Sequence, residues 1–197
     1  MVYYFVRGIC RLLFVFLGLK KEGIDKLPQN GPVIVASNHM SNWDSIMIVI
    51  ALPRPVHFMA KVELFNNKIL GKLLTALHAF PVKRGTADRK AIRQALELLE
   101  EGKVLGIFPE GARKKVKPDT QVQSGIALLA LKSGAQIVPV ACVGTEKDFP
   151  LGWFRPLLVR VGDPVDLDKY QGQKISSALL EEVSEAIMQE INSLLDK

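Results

Sequence analysis

Residues 38–44, Asn-His-Met-Ser-Asn-Trp-Asp, set an imidazole and a carboxylate five positions apart at His39 and Asp44. A neutral imidazole can take a proton from a hydroxyl near pH 7. A carboxylate on its other nitrogen fixes the tautomer and stabilises the imidazolium that forms. On one ideal helix, residues five apart point about 140° away from each other. A direct contact therefore needs His39 outside the helix and folded back. The flanks supply that geometry: Val33-Ile34-Val35-Ala36 reads as a buried strand and Ser45 to Leu52 as an apolar helix, so His39 stands at a strand-to-helix corner. H-x-x-x-x-D is a short, loose pattern, and a purely structural alternative stays open in which His39 closes a turn and Asp44 caps the helix.

A second stretch adds to the first. Val104-Leu105-Gly106-Ile107-Phe108 reads as a strand that runs into Pro109-Glu110-Gly111-Ala112-Arg113-Lys114-Lys115, a glycine turn followed by a cluster of cations. Histidine corner, strand, glycine turn and cations together resemble the glycerolipid acyltransferase family, whose members move a fatty acyl group from a thioester to a lysophospholipid or glycerol phosphate. The resemblance covers residues from about 28 to 165. His39 and Asp44 match the first block, residues 80–85 (Phe-Pro-Val-Lys-Arg-Gly) the second, Phe108 to Arg113 the third and residues 137–141 (Ile-Val-Pro-Val-Ala) the fourth, in the family's order. The third block usually carries threonine and serine where this chain has Ala112 and Lys114. A basic residue common before the glycine of Val122-Gln123-Ser124-Gly125 is here Gln123 or Ser124. Both departures bear on acceptor contacts and leave the histidine and aspartate untouched.

The resemblance implies a mechanism. His39 would act as general base on the acceptor hydroxyl, which attacks the thioester directly, and Asp44 would orient His39. No nucleophilic serine stands in a recognisable elbow, since Ser124-Gly125 lacks the G-x-S-x-G frame. Backbone N–H groups near Glu110 and Gly111 would face the oxyanion. Arg84 and Arg113 would hold the acceptor's phosphate, because a guanidinium pairs two phosphate oxygens at once. Glu110 would fix an arginine or an acceptor hydroxyl. The partners so implied are lysophosphatidic acid, acyl-CoA or acyl-carrier protein as donor, and membrane lipids. No resident cofactor or metal is required, since a thioester is already activated and phosphate is matched by cations. Rival acceptors are glycerol 3-phosphate and other lysophospholipids; rivals of other classes are a non-catalytic membrane-surface binding protein and a thioesterase using water.

Composition sets the frame for these residues. At 197 residues, 48% hydrophobic and 23% charged, the chain suits one folded domain with a real core. Cys10 and Cys142 lie far apart without metal-ligand spacing, which suggests neither a disulfide framework nor a zinc site and makes a reducing compartment the default. The net charge of +6 is uneven: residues 1–117 hold 19 Lys and Arg against 9 Asp and Glu, and residues 118–197 hold 7 against 11. The basic part calls for an anionic partner, either an acidic membrane surface or phosphorylated substrates. Nucleic acid is disfavoured, because no recognised binding motif is present.

Residues 2–19 are apolar around most of a helix, with Arg7 and Arg11 on a narrow stripe and Lys20 and Lys21 following. The uncharged stretch is shorter than the roughly 20 residues that cross a bilayer, and the arginines interrupt any secretory signal. Two placements stay open for residues 1–22. One is an amphipathic helix in the membrane interface, with Tyr3, Tyr4 and the phenylalanines immersed, on the cytoplasmic face of the cell membrane; the other is a helix packed on the domain.

Residues 23–197 form the acyltransferase domain in this scheme. Val56 to Ala60 reads as a strand that delivers Lys61 to its end, where ligands tend to bind in open α/β sheets; a solvated lysine is the alternative. A helix from about Glu63 to His78 follows, then the strand Ala79 to Val82, and an amphipathic helix from Asp88 to Glu101 with Ile92, Ala95, Leu96 and Leu99 on one face. Next come a helix from about Val122 to Lys132 stopped by Gly134, strands at Gln136 to Val143 and Leu157 to Val161, and a closing helix from Ser176 to Leu195. His57 and His78 fall in this pattern as structural residues. Strands alternating with helices predict a single α/β domain with a largely parallel sheet flanked by helices, plus the N-terminal helix.

Overall fold

The computed structural model describes residues 2–83, 88–109, 120–145, 156–170 and 172–197. Helices α1 (Val2–Phe16), α2 (Trp43–Ala51), α3 (Lys68–Ala76), α4 (Arg89–Glu100), α5 (Thr120–Ser133) and α6 (Ser177–Leu195) surround seven strands. The strands are β1 (Lys20–Glu22), β2 (Val33–Ser37), β3 (Val56–Lys61), β4 (Ala79–Val82), β5 (Val104–Ile107), β6 (Gln136–Val143) and β7 (Leu158–Val161). They form one sheet in the order β1-β7-β6-β2-β5-β3-β4. Neighbours from β6 to β4 pair in parallel, β7 runs antiparallel to β6, and β1 is parallel to β7. The chain is thus a single α/β domain with a mostly parallel sheet flanked by helices.

The central strand shows why the sequence folds this way. All five residues of β2 are buried, as a strand covered on both faces demands. Successive side chains alternate between faces. Val33 and Val35 join Phe14, Met47 and Ile48 in the core under α1 and α2, while Ile34 and Ala36 join Ala95, Leu99, Ile126 and Ile187 under α4, α5 and α6. Helix starts follow local chemistry. The Asp88 carboxylate accepts from Lys90 N and Ala91 N, and Ser176 Oγ accepts from Leu179 N.

Three findings differ from the sequence expectation. The helix expected from about Glu63 is two pieces, a 3-10 turn at Val62–Phe65 and then α3, because Asn67 caps a new helix by accepting from Ile69 N and Leu70 N. Its short amide side chain satisfies donors that a continuing helix would have used. Residues 20–22 are strand β1, held in the sheet by pairing with β7 and by an Arg160–Glu22 ion pair. The helix of the N-terminal segment therefore ends before them. Tyr3 and Phe14 are not immersed: they are buried on the domain at 3% and 1% exposure. Tyr3 Oη accepts from Val56 N at 3.3 Å, and Arg7 Nη2 donates to Leu52 O at the end of α2. Phe5, Ile9, Leu12 and Phe16 occupy the opposite side of α1 and remain exposed. No described helix is long and apolar enough to cross a membrane.

Candidate active site

Strand β2 delivers Ser37 and Asn38 to the carboxyl edge of the sheet, and α2 begins only at Trp43. His39 lies between them, outside the helix. Its Nδ1 is 3.1 Å from Asp44 Oδ2, with the ring 7% exposed and Asp44 fully buried. Asp44 does not cap the helix, whose N-cap is Asn42; its Oδ2 instead accepts from Met40 N and Ser41 N of the corner at 2.7 Å each, which folds the corner back over the first turn. Its second oxygen is filled from afar: Thr145 Oγ1 donates to Asp44 Oδ1 at 2.6 Å. Every oxygen of this buried group is matched, as burial of a charge requires.

The corner is clipped to the sheet by Asn38. Its Nδ2 donates to Cys142 O and its Oδ1 accepts from Cys142 N, both at 2.8 Å, so one amide side chain extends the pairing of β6 beyond the strand. Cys142 itself is buried, and its thiol pKa is pushed well up, first by burial and then by the Asp44 charge. It packs there as a protonated, inert group.

The face of His39 is set by a column of rings. Phe108, just past β5, stacks on His39 at 4.0 Å and 16°, and Phe58 of β3 stacks on Phe108 at 5.5 Å and 15°. Gly106 makes room for this, because a Cβ there would overlap the Phe58 ring. Gly144 has φ +91° and would meet Pro156 O with any side chain, and that turn brings Thr145 under Asp44.

The structure thus brings His39 and Asp44 together. Lys61 closes β3 at the same edge of the sheet, exposed and ion-paired with Glu63 at 3.4 Å. Arg84, Glu110, Gly111 and Arg113 lie outside the described residues. Sequence reasoning missed Thr145 and the roles of Asn38 and Phe108. No local signal marks them: residues just beyond β6 meet the corner just beyond β2 because the two strands are parallel neighbours in the sheet. Chemically, the arrangement holds an imidazole with a carboxylate on Nδ1 and leaves Nε2 as the nitrogen for proton transfer.

Residues 18–143 match the family model described as Acyltransferase. The chain is 32% identical over 181 residues to the 1-acyl-sn-glycerol-3-phosphate acyltransferase of Bacillus subtilis (strain 168), spanning 91% of this chain and 89% of that one. It is 29% identical over 199 residues to the protein of the same name from Streptococcus pneumoniae, spanning 98% and 73%. Its fold is like that of the crystal structure of the 1-acyl-sn-glycerophosphate (LPA) acyltransferase from Thermotoga maritima, with a TM-score of 0.71 at 24% identity, covering 99% of this chain and 80% of that one. Since the matched residues include the whole histidine corner and the strands that position it, the chain belongs to the acyltransferase family.

Proposed function

We propose that this enzyme transfers a fatty acyl group from an acyl thioester to the sn-2 hydroxyl of 1-acylglycerol 3-phosphate, giving phosphatidic acid for phospholipid biosynthesis. The observation that carries the reading is the 3.1 Å contact between His39 Nδ1 and a fully buried, fully matched Asp44 carboxylate. The names of the curated relatives support the acceptor. Asp44 keeps the proton on Nδ1, so Nε2 takes the proton of the acceptor hydroxyl as that oxygen attacks the thioester carbonyl. The tetrahedral intermediate collapses, the carbon–sulfur bond breaks, and the imidazolium returns its proton to the departing thiolate. No covalent acyl-enzyme forms in this route.

In this reading the Glu110-Gly111 stretch supplies backbone N–H donors for the oxyanion, Arg84 and Arg113 are the residues for the acceptor phosphate, Glu110 serves an arginine or an acceptor hydroxyl, and Lys61 adds charge at the sheet edge. The chemistry needs no cofactor or metal beyond the donor, acyl-CoA or acyl-carrier protein. The open face of α1 attaches the enzyme to the cytoplasmic face of the cell membrane, where lysophosphatidic acid resides.

The test is acyl transfer by the purified chain with lysophosphatidic acid, glycerol 3-phosphate and lysophosphatidylcholine as acceptors and both donor types. Phosphatidic acid formed preferentially from lysophosphatidic acid is the expected result; transfer only to another acceptor overturns the reading. For the phosphate clamp, Arg113→Ala should raise KM for lysophosphatidic acid at least tenfold, from roughly 1.5 to 3 kcal/mol per charged hydrogen bond. KM for monoacylglycerol should stay unchanged. Parallel changes for the two acceptors would remove the clamp.

A further inference from the structure

Helix α3 carries a surface that neither the core nor the histidine corner uses. Ile69 is 83% exposed, and Leu70, Leu73 and the nearby Leu64 are exposed as well. At 100° per residue, Ile69 and Leu73 share one side, Lys68 and Lys72 lie together along one flank of it with Leu70 on the other, and Gly71 points inward against Phe65. The helix contains no acidic residue. The lysines border a shallow cleft lined also by Phe65, Gly71, Thr75 and Ala76. Apolar side chains open to solvent beside cations are the pattern of a helix lying in a bilayer interface, with its leucines among the acyl chains and its lysines at anionic headgroups.

Its place in the fold supports the same occupant. Strands β2, β5 and β3 run in parallel, so Ser37 and Lys61 end at the same edge of the sheet. The start of α3, reached from Lys61 through the Val62–Phe65 turn, therefore lies at the edge where His39 stands. The end of α1 lies at that edge too: Phe14 contacts Trp43 at 5.9 Å between ring centroids, and Lys20 opposes Leu158, which opposes Val143 at the end of β6. Exposed Phe16 and exposed Ile69 thus belong to one edge of the molecule.

We propose that α3 is a second lipid-facing element, which inserts Leu64, Ile69 and Leu73 into an anionic bilayer surface and sets Lys68 and Lys72 against its headgroups. With α1 it holds the carboxyl edge of the sheet on the membrane at two points. This fixes the tilt of the enzyme and turns the histidine corner to the leaflet that supplies a lipid acceptor. The inference rests on the lipid-surface reading of α1 for its purpose and on α3's own exposure and charge for its existence.

The experiment uses the full chain and vesicles of phosphatidylcholine, with or without an equimolar share of phosphatidylglycerol. Ile69→Gln/Leu73→Gln should weaken vesicle sedimentation about tenfold on either composition. Lys68→Gln/Lys72→Gln should weaken it about tenfold only on the anionic vesicles, and less as salt rises. Turnover of a short-chain soluble acceptor should be unchanged in both. Ile69→Trp should report an apolar environment through quenching by brominated acyl chains, beyond the signal of Trp43 and Trp153 in the parent. A parallel Phe5→Gln/Leu12→Gln variant leaves α3 intact, so loss of binding there alone keeps α1 and removes α3. Parent-like sedimentation of Ile69→Gln/Leu73→Gln, with no added quenching in the Ile69→Trp variant, overturns the proposal. So does a dimer in sedimentation velocity that Ile69→Gln/Leu73→Gln abolishes, which would make the patch a contact between copies.

Discussion

The three histidines fall into two stacked-ring clusters at opposite edges of the sheet. At the carboxyl edge, His39 lies on Phe108 with a carboxylate on Nδ1. At the amino edge, His57 stacks on His78 at 4.7 Å and His78 on Tyr3 at 4.2 Å, which pins the start of α1. No carboxylate hydrogen-bonds to these two rings among the described residues; His57 Nδ1 is 3.3 Å from Val104 O, and His78 Nδ1 is buried without a partner. Burial, and then the neighbouring His78, lowers the His57 pKa to about 4, while burial lowers that of His78. His78 also has φ +64°, a conformation uncommon outside glycine. The same side chain thus carries a carboxylate on Nδ1 at one edge and is a neutral packing plate at the other. The group on the second nitrogen makes the difference.

The sharpest way to break this comparison is substitution at both edges. His39→Ala should lower turnover by about 10²- to 10⁴-fold with the circular dichroism spectrum retained, as loss of a general base does. His57→Phe, which keeps a ring in the stack, should leave turnover within about twofold. Equal losses at the two positions would show that stacking, and not proton transfer, is what His39 supplies. Asp44→Asn should follow His39→Ala closely in turnover and also lower stability, because an amide in place of Oδ2 faces two backbone donors with a donor of its own.

Thr145 offers a finer cut. Thr145→Val removes the donor from Asp44 Oδ1 in a fully buried site, which should cost about 1–3 kcal/mol of stability in denaturant titration. Turnover should fall roughly tenfold with little change in KM as the carboxylate loses its fixed plane, a drop of about 1.4 kcal/mol in transition-state terms. Thr145→Ser should restore most of both. A fall in stability with unchanged turnover would confine Thr145 to packing.

The amino edge gives the smallest effect and a sign to check. His57 has a folded pKa below its unfolded value near 6.5, so the unfolded chain binds the extra proton first as pH falls. Stability is therefore complete above about pH 6.5 and declines toward pH 4. The decline is on the order of 1–2 kcal/mol once partial exposure is allowed for. Thermal melts at intervals across that window should show the decline, and His57→Phe should flatten it. An unchanged slope in that variant would assign the acid sensitivity elsewhere.

Much of this molecule was legible in the residues alone. The strand-to-helix corner at His39, the strand Gln136 to Val143, the helix opened by Asp88 and the closing helix follow from apolar periodicity and caps, which act between residues a few positions apart. The break at Asn66-Asn67 was written there too, in a side chain that can cap a helix as well as interrupt one. Other features belong to the tertiary structure. A hydrogen bond from Thr145 to Asp44 joins residues 101 positions apart, and Asn38 meets Cys142 across 104. Those distances close only because β6 pairs beside β2, a choice among strand orders that no local pattern encodes. Pairing also draws Lys20–Glu22 into the sheet, where three charged residues carry no strand signal of their own. Tertiary packing decides as well which side of α1 is buried: an apolar helix presents similar surface around most of its circumference, and contacts with His78 and Val56 draw Tyr3 inward while Trp43 of α2 takes Phe14, which leaves Phe5 and Phe16 outside.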